Sequence, residues 1–215
     1  MTTEAPDTDA ADAVHDRLAR TVSALVEASM LTEVDLDEVR AVTAQVGELA
    51  GRLRARARED ALGISMPAGK GVRNDGNTVV GLRNPLSTVR PEDREVADGV
   101  LRFSTRLGPA WEGPPGHVHG GVSALLLDQA LGEAAAIFGG PGMTGRLTLH
   151  YRRALPLGPL TVEAWLEGTD GAKTTTAGCI KDPDGNTCVE AEGLFIFPKW
   201  AADHPQWQSH PAVRD

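Results

Sequence analysis

The feature that most constrains the fold is one nearly apolar segment, GGVSALLLDQALGEAAAIFGG, which begins at Gly120. Its apolar residues lie on almost every face of a helix, and such a helix is stable only when other elements cover most of its circumference. An alternating segment precedes it from Val100, and four segments rich in Thr, Val, Ile and Leu follow it. This order predicts an α+β fold in which an antiparallel sheet wraps around one long central helix.

The strands are predicted from alternation and from the turn residues between them. VLRFSTRL places Leu101 and Phe103 on one face of a strand and Arg102 on the other. The four later strands are expected at TGRLTLHYRRAL, LTVEAWLEGT, KTTTAGCIK and TCVEAEGLFIF. The last two flank a hairpin turn at DPDGN and carry Cys179 and Cys188, two thiols that indicate neither a disulfide scaffold nor a zinc site.

Two amphipathic helices are predicted near the N-terminus. Apolar residues recur at helical spacing between Ala11 and Met30. A second apolar set alternates by threes and fours: Val39, Val42, Val46, Leu49 and Leu53. The second helix is expected to start near Asp35 or Asp37 and to end in the basic RLRARAR, which suits the negative end of the helix dipole. We interpret the pair as a helical hairpin that packs or caps a dimer, rather than as a partner-binding module.

These patterns divide the chain into four segments. The helical hairpin takes residues 1–62, and residues 63–99, rich in Gly, Pro, Asn and Asp, form a connecting segment. A connection of this length inside a compact protein is often an ordered cover. The sheet and central helix take residues 100–199, and residues 200–215 form a polar tail.

Composition narrows the classes of ligand. The formal net charge of −9 argues against a nucleic-acid or broad anionic-membrane surface, because no long basic stripe offsets the acidic field. The N-terminal MTTEAPDTDAADAVHD lacks the basic start and apolar core of a secretory signal, and no uninterrupted apolar run long enough to span a bilayer is expected. We therefore expect a cytoplasmic protein that binds neither nucleic acid nor membrane.

The central helix carries a carboxylate, Asp128, among mainly small neighbours on the same helix face. An unpaired carboxylate in an apolar setting costs free energy, so two interpretations stand: a functional group, or a structural one satisfied by hydroxyls or an Arg. The preceding His-Gly-Gly favours function, because the N–H groups of Gly120 and Gly121 at the positive helix end suit a developing oxyanion. A carbonyl held there would be attacked by a group two turns along the helix.

Other chemistries fit the sequence poorly. GVSAL around Ser123 has half of a G-x-S-x-G nucleophile elbow and lacks its final Gly. His117 and His119 in HVH lack further ligands at turn or helical spacing, so no metal site is expected. The glycine motifs of nucleotide-binding loops are absent from the sequence. We predict no metal and no cofactor.

EGPPGHVHGGVSALLLDQALG followed by MTGRLTLHYRRALPLG resembles the hotdog-fold acyl-CoA thioesterases, in particular the phenylacetate-degradation type and the group of thioesterase superfamily member 4. The resemblance covers roughly Val100 to Pro198, and its His-Gly-Gly with an Asp nine residues after the His is fairly specific. It implies a hotdog fold, with an antiparallel sheet around one helix and active sites shared between the subunits of a homodimer or dimer of dimers. It also implies acyl-CoA as substrate and a place in fatty acid metabolism.

The resemblance also implies roles for individual residues. Gly120 supplies an oxyanion N–H with His119 beside it, and Gly121 is expected to contact the substrate. Asp128 is the catalytic carboxylate, as nucleophile or as the base that activates water. A hydroxyl from the other subunit assists, which falls on Thr144. The arginines of HYRRALPLG, Arg152 and Arg153, form the local basic cluster expected for the phosphates of coenzyme A.

One departure from the resemblance bears on rate. Many phenylacetate-type members have an Asn shortly before the motif His, where this chain reads WEGPPG. Carbonyl polarisation then depends more on the Gly120 N–H. Two alternatives to the acyl-CoA thioesterase remain: a hotdog module that binds acyl-CoA or regulates without turnover, and a thioesterase that acts on acyl carrier protein.

Overall fold

The structure is a computed structural model, and it describes residues 8–65, 73–140 and 142–198. The chain divides into two compact units between Ser87 and Thr88. The segment predicted as a polar tail, 200–215, lies outside the described residues.

The first unit contains the two N-terminal helices, α1 (Thr8–Leu31) and α2 (Leu36–Arg54). Asp35 caps α2, since its carboxylate accepts from the N–H groups of Asp37 and Glu38 at 3.0 and 2.9 Å. Arg52 and Arg54 lie in the last turn. The predicted helical pair is confirmed, including the start of its second member.

The described residues 73–87 of this unit form hydrogen-bonded turns. Arg73 donates to the carboxylates of Asp12 and Asp75 at 2.5 and 2.7 Å, so it joins α1 to this segment. The hydrogen bond to Asp12 and the two carboxylate charges raise the pKa of Arg73 above its usual range. The Asn77 side chain accepts from the N–H groups of Val79 and Val80 and fixes the next turn.

The second unit is an antiparallel sheet packed on one helix, α3 (Gly120–Ala134), which continues as a π-helical turn (Ala135–Gly139). The six strands lie in the order β1-β2-β4-β5-β6-β3. Their bounds are β1 (Arg94–Ala97), β2 (Val100–Leu107), β3 (Met143–Tyr151), β4 (Gly158–Asp170), β5 (Lys173–Lys181) and β6 (Thr187–Ile196). The predicted α+β architecture is confirmed, and β1 and β3 are its edges.

The first strand lies in the segment expected to be a connection. β1 pairs with β2 through a two-residue turn at Asp98 and Gly99, whose φ angles are 52° and 76°. Asp-Gly is the sequence signature of such a type I′ hairpin turn, so the signal was present in the sequence. The sheet therefore begins at Arg94, before the expected boundary at residue 100.

The core lies between α3 and the sheet. Leu126, Leu127 and Leu131 of α3 are fully buried, and the helix packs on every strand from β2 to β6. Phe103 and Val162 face it from the sheet with no exposed surface. Burial on this scale contributes roughly 1.5–3 kcal/mol per large apolar side chain and is the main stabilising force of the unit.

The hairpin predicted between β5 and β6 is confirmed by the pairing of Lys181 with Thr187. Asp182 closes its turn by accepting from the N–H groups of Asp184 and Asn186 at 3.0 and 2.9 Å. Cys179 and Cys188 are free and buried, and burial raises the pKa of both thiols. Both are therefore protonated and poorly reactive near neutral pH.

Among the described helices, the 20-residue stretch Gly120–Gly139 is long and apolar enough to cross a membrane by length and composition. The stretch contains the charged residues Asp128 and Glu133, so it is not an uninterrupted apolar run. The core helix of a globular protein passes the same test, and α3 packs on five strands. The apolar character of this segment therefore follows from its place in the core.

Candidate active site

His119 sets the start of the central helix. Its ring Nδ1 accepts the N–H of Gly121 at 3.0 Å, and its backbone carbonyl accepts the N–H of Val122 at 2.9 Å. The ring thus occupies the N-cap position, where a side-chain acceptor satisfies one of the first helical donors. Of the two predicted oxyanion donors, the Gly121 N–H is therefore not available to a substrate, because it already donates to the His119 ring.

The backbone N–H of Gly120, the first residue of α3, remains available as a donor. Within the described part of the chain, the Gly120 N–H makes no hydrogen bond, and it lies at the positive end of the helix dipole. The Gly120 carbonyl accepts from the Tyr151 hydroxyl at 2.8 Å, which ties the helix start to the end of β3. Sequence reasoning missed Tyr151, since only the folded chain brings it to the helix start.

The loop before the helix is also held firmly. Glu112 accepts the N–H of Gly116 at 2.6 Å, and the Gly113 N–H donates to the His117 carbonyl at 2.9 Å. A Cβ on Gly113 would lie 2.7 Å from the Cα of His119, so only Gly fits there. WEGPPG therefore positions His119, although it lacks the amide side chain expected from the resemblance.

The carboxylate of Asp128 accepts a hydrogen bond from the Thr144 hydroxyl at 2.8 Å. Asp128 is half-buried in the single chain, and Thr144 is exposed near the start of the edge strand β3. The resemblance implied that the hydroxyl comes from the other subunit, but here both groups belong to one chain. The second carboxylate oxygen of Asp128, Oδ2, has no hydrogen bond among the described residues.

Gly120 and Asp128 cannot serve the same carbonyl within one chain. They are eight residues apart in a continuous α-helix, which separates them by about 12 Å along the axis at 1.5 Å per residue. A reacting carbonyl must lie within about 3 Å of both the oxyanion donor and the attacking group. The expectation that a group two turns along the same helix attacks the bound carbonyl is therefore wrong.

The residues near Asp128 on α3 differ in whether they pack against the sheet. Gly132 faces the sheet, where a Cβ would lie 3.2 Å from the ring of the buried Phe195, so its size serves helix–sheet packing. Ser123 is also turned inward, 1% exposed, which agrees with its rejection as a nucleophile. Ala124 and Leu125, on the same face as Asp128, are half-buried like the carboxylate itself.

The predicted coenzyme A arginines, Arg152 and Arg153, are exposed and directly follow the end of β3 at Tyr151. Arg152 forms an ion pair with Glu190 at 2.8 Å, and the N–H groups of Arg152 and Arg153 both donate to the Cys188 carbonyl. Arg152 is therefore partly neutralised in this structure. No hydrogen bond or ion pair of the Arg153 guanidinium occurs among the described residues, so Arg153 is the more available cation of the two.

No metal cluster is present in the part of the chain that the structure describes, where no group of three or more His, Cys, Asp or Glu side chains could hold an ion. The His117 Nδ1 lies 2.8 Å from the Pro115 carbonyl, and the His119 Nδ1 is occupied by the helix cap. Each ring therefore has a structural role in the loop.

The class of protein is defined by an antiparallel sheet around one central helix, a helix carboxylate bonded to a hydroxyl of β3, and a free N–H at the helix start. A family model described as thioesterase superfamily matches residues 115–189. A crystal structure described as a thioesterase superfamily protein is 39% identical, with a TM-score of 0.74 over 85% of this chain and 94% of that chain. The chain belongs to the thioesterase superfamily.

Two curated relatives are more narrowly named. Acyl-coenzyme A thioesterase THEM4 of Xenopus laevis is 37% identical over 91 residues, which is 41% of this chain and 41% of that protein. The Bos taurus protein of the same name is 35% identical over 91 residues, 41% of this chain and 37% of its own length. The chain thus matches about two fifths of the length of these relatives. The crystal structure covers more, so its likeness extends beyond residues 100–199.

Proposed function

We propose that this chain is an acyl-CoA thioesterase that hydrolyses an acyl-CoA to a free carboxylic acid and coenzyme A. The observation that carries the proposal is the 2.8 Å hydrogen bond between Thr144 and Asp128, which orients a half-buried carboxylate on the central helix. The curated relatives named acyl-coenzyme A thioesterase support the substrate class.

In the proposed reaction, the Gly120 N–H of one subunit donates to the thioester oxygen and stabilises the negative charge that develops on it. The Asp128 carboxylate of the other subunit acts from the opposite side of the carbonyl. As a base it removes a proton from water, whose oxygen bonds to the carbonyl carbon. The carbon–sulfur bond then breaks, and the proton passes to the departing thiolate of coenzyme A.

As a nucleophile, Asp128 instead forms an acyl–aspartate anhydride with loss of the thiolate, and water hydrolyses that anhydride in a second step. A single turnover in ¹⁸O-labelled water tests for the anhydride. Direct attack by water places the label in the released acid and none in Asp128. If the anhydride forms and water opens it at the aspartyl carbon, the first acid is unlabelled and the label enters Asp128, where peptide mass spectrometry detects it. Label in Asp128 therefore identifies the nucleophilic route, whereas label in the acid alone is shared by direct attack and by opening of the anhydride at its acyl carbon.

The proposed site requires two copies, and the edge strand β3 is the surface we propose for their contact. Its residues are mostly exposed, including Met143 at 60% and Tyr151 at 57%, and its outer edge is unpaired in the described chain. An open strand edge favours pairing with another chain, so two β3 strands would continue the sheet across a two-fold axis.

We also propose that Arg153, with Arg152 after release from Glu190, binds the phosphates of coenzyme A. The two free cysteines support a reducing compartment, and we propose the cytoplasm. Changing Arg153 to Gln is expected to raise KM for acyl-CoA and leave turnover of a short pantetheine thioester unchanged. An equal effect on both substrates would contradict phosphate binding.

The activity is tested by thiol release from short, long and aryl acyl-CoAs and from an acyl carrier protein, with purified full-length chain. Asp128→Asn keeps the side-chain shape and removes the anion, so substrate binding should persist while turnover falls roughly a hundredfold or more. The melting temperature of the same preparation is the control. Near-normal turnover by folded Asp128→Asn would falsify the catalytic role, and preference for the carrier protein would change the substrate class.

A further inference from the structure

The second N-terminal helix, α2, has an apolar face that is largely exposed in the described chain. No residue of α2 is buried, and α1 and α2 make almost no close backbone approach to each other. Val39 and Val42 are each 37% exposed, and Leu49 and Leu53 are 52% and 59% exposed. In proteins most of the stability of a helix comes from packing of its apolar face rather than from helix propensity, so this face of the 19-residue α2 needs a partner.

The spacing of these residues identifies the kind of partner. The apolar face repeats by three and four residues, the a and d positions of a coiled coil: Val39, Val42, Val46, Leu49 and Leu53. The stripe is narrow, as in a helix pair, whereas a helix that packs on a sheet presents a wider apolar face. The face therefore suits one other helix with the same repeat.

The charges on α2 set the direction of that helix. Asp35, Asp37 and Glu38 lie at its N-terminal end, and Arg52 and Arg54 lie at its C-terminal end. Two copies of α2 in parallel would bring acidic ends together and basic ends together. Two antiparallel copies bring each acidic end beside a basic end, which also aligns the two helix dipoles favourably.

We propose that α2 forms an antiparallel helix pair with α2 of a second copy of this chain. With the two-fold axis level with Ala44, Val39 packs on the second copy's Leu49, and Val42 packs on its Val46. The same axis repeats both contacts in reverse, so these four positions form four apolar layers. Leu53 falls outside them, level with the second copy's Asp35.

The flanking positions agree with this register. Glu38, Gln45 and Arg52 all occupy the g position of the repeat, and in an antiparallel pair g positions face g positions. Glu38 therefore lies beside the second copy's Arg52, and Gln45 meets its own equivalent at the axis. Neither Glu38 nor Arg52 has an ion-pair partner among the described residues of its own chain. Leu36, 71% exposed, would cover the second copy's Ala50.

A single cysteine at the axis tests the pair directly. Gln45→Cys places two thiols opposite each other, and Ala44→Cys places an equally exposed thiol at the same level on the outer face. We expect mild oxidation, or a short bis-maleimide, to give a covalent dimer for Gln45→Cys and little for Ala44→Cys. The native Cys179 and Cys188, 6% and 0% exposed, give a low background that the unmodified chain measures.

Charge exchange tests the direction of the pair. In the Gln45→Cys chain, Glu38→Arg or Arg52→Glu alone should slow cross-linking several-fold, because each places like charges together twice. Both changes in one chain restore the opposite charges and should restore the rate. A parallel pair predicts no restoration, since Glu38 and Arg52 then lie far apart, and that result would overturn the register.

Three other outcomes overturn the helix pair itself. The first is equal cross-linking at positions 44 and 45. The second is no cross-linking while a monofunctional maleimide labels both positions fully, which means that the face stays open. The third is protection of position 45 from the maleimide without cross-linking, which means that another element covers the face. Circular dichroism confirms that each variant keeps its helices. The experiment does not depend on hydrolysis, so its outcome is independent of the proposed enzymatic activity.

Discussion

The separation of Gly120 and Asp128 makes a quantitative prediction about mixed oligomers. Gly120→Pro removes the free N–H and suits the site, because Pro is favoured at the first position of a helix and His119 before it is extended, with φ −60° and ψ 133°. A Cβ at position 120 lies 3.4 Å from the Tyr151 hydroxyl, an ordinary contact. Gly120→Ala is the matched control, since it adds the same Cβ and keeps the N–H.

Gly120→Pro and Asp128→Asn should each be nearly inactive when present in every chain. Loss of one oxyanion donor costs about 10²–10³ in kcat, and loss of a positioned base costs a similar factor. Gly120→Ala should stay close to the unmodified chain. The free energy of unfolding, measured with urea, should change little for Gly120→Pro, because the N–H that it removes bonds to nothing in the described chain.

Mixing the variants restores activity if the site is shared. A dimer of one Gly120→Pro chain and one Asp128→Asn chain has one site with an intact N–H and an intact carboxylate, and one site with neither. Equal co-expression with two affinity tags gives about half mixed dimers, so the total activity should be about a quarter of the unmodified level. Purified mixed dimers should reach about half.

The reasoning is refuted if the purified mixed dimer is no more active than either variant. That result would mean that both groups serve a site in one chain, against their separation of about 12 Å, or that one of them has no role. An Asp128→Asn chain paired with Gly120→Ala is the second control. It should also give about half activity, because one chain still supplies the carboxylate and the other the N–H.

Three further predictions concern single side chains. Thr144→Val should lower kcat roughly tenfold, since it removes the hydroxyl that orients the carboxylate, and Thr144→Ser should restore most of it in steady-state assays. Tyr151→Phe removes the hydrogen bond to the Gly120 carbonyl and should lower the free energy of unfolding by about 0.5–1.5 kcal/mol in urea titration. The hydrogen bond from Lys181 lowers the pKa of Glu163, so this pair stabilises the fold above the usual glutamate pKa and the gain is lost as pH falls through the lowered value. Glu163→Gln should therefore flatten the acid limb of the melting temperature against pH, and an unchanged limb would contradict that assignment.

Local patterns in the sequence predicted most of the fold. The apolar run from Gly120 predicted the buried helix, and alternation predicted all five strands from β2 to β6. β1 was missed because it has four residues, too few for alternation to show, although Asp98 and Gly99 marked its hairpin turn. The N-terminal helices were predicted because their apolar spacing is regular.

The site was predicted less completely, because its contacts depend on how α3 lies against β3. The sequence singled out Asp128 and Gly120 as candidates, since both stand out within one short segment. The bonds from Thr144 to Asp128 and from Tyr151 to Gly120 span 16 and 31 residues, and the packing of helix on sheet sets both. No local periodicity encodes that register, so the sequence could not show that Thr144 and Asp128 belong to one chain.

The rigidity of α3 links these observations to the quaternary structure. A loop between the oxyanion donor and the carboxylate could fold back and bring them together, but a helix with fully buried Leu126, Leu127 and Leu131 cannot bend without opening the core. The distance between Gly120 and Asp128 is therefore fixed by the same packing that stabilises the unit. Under the proposed function, assembly of two copies is then a condition of catalysis. An active monomer in light scattering at assay concentration would contradict the shared site.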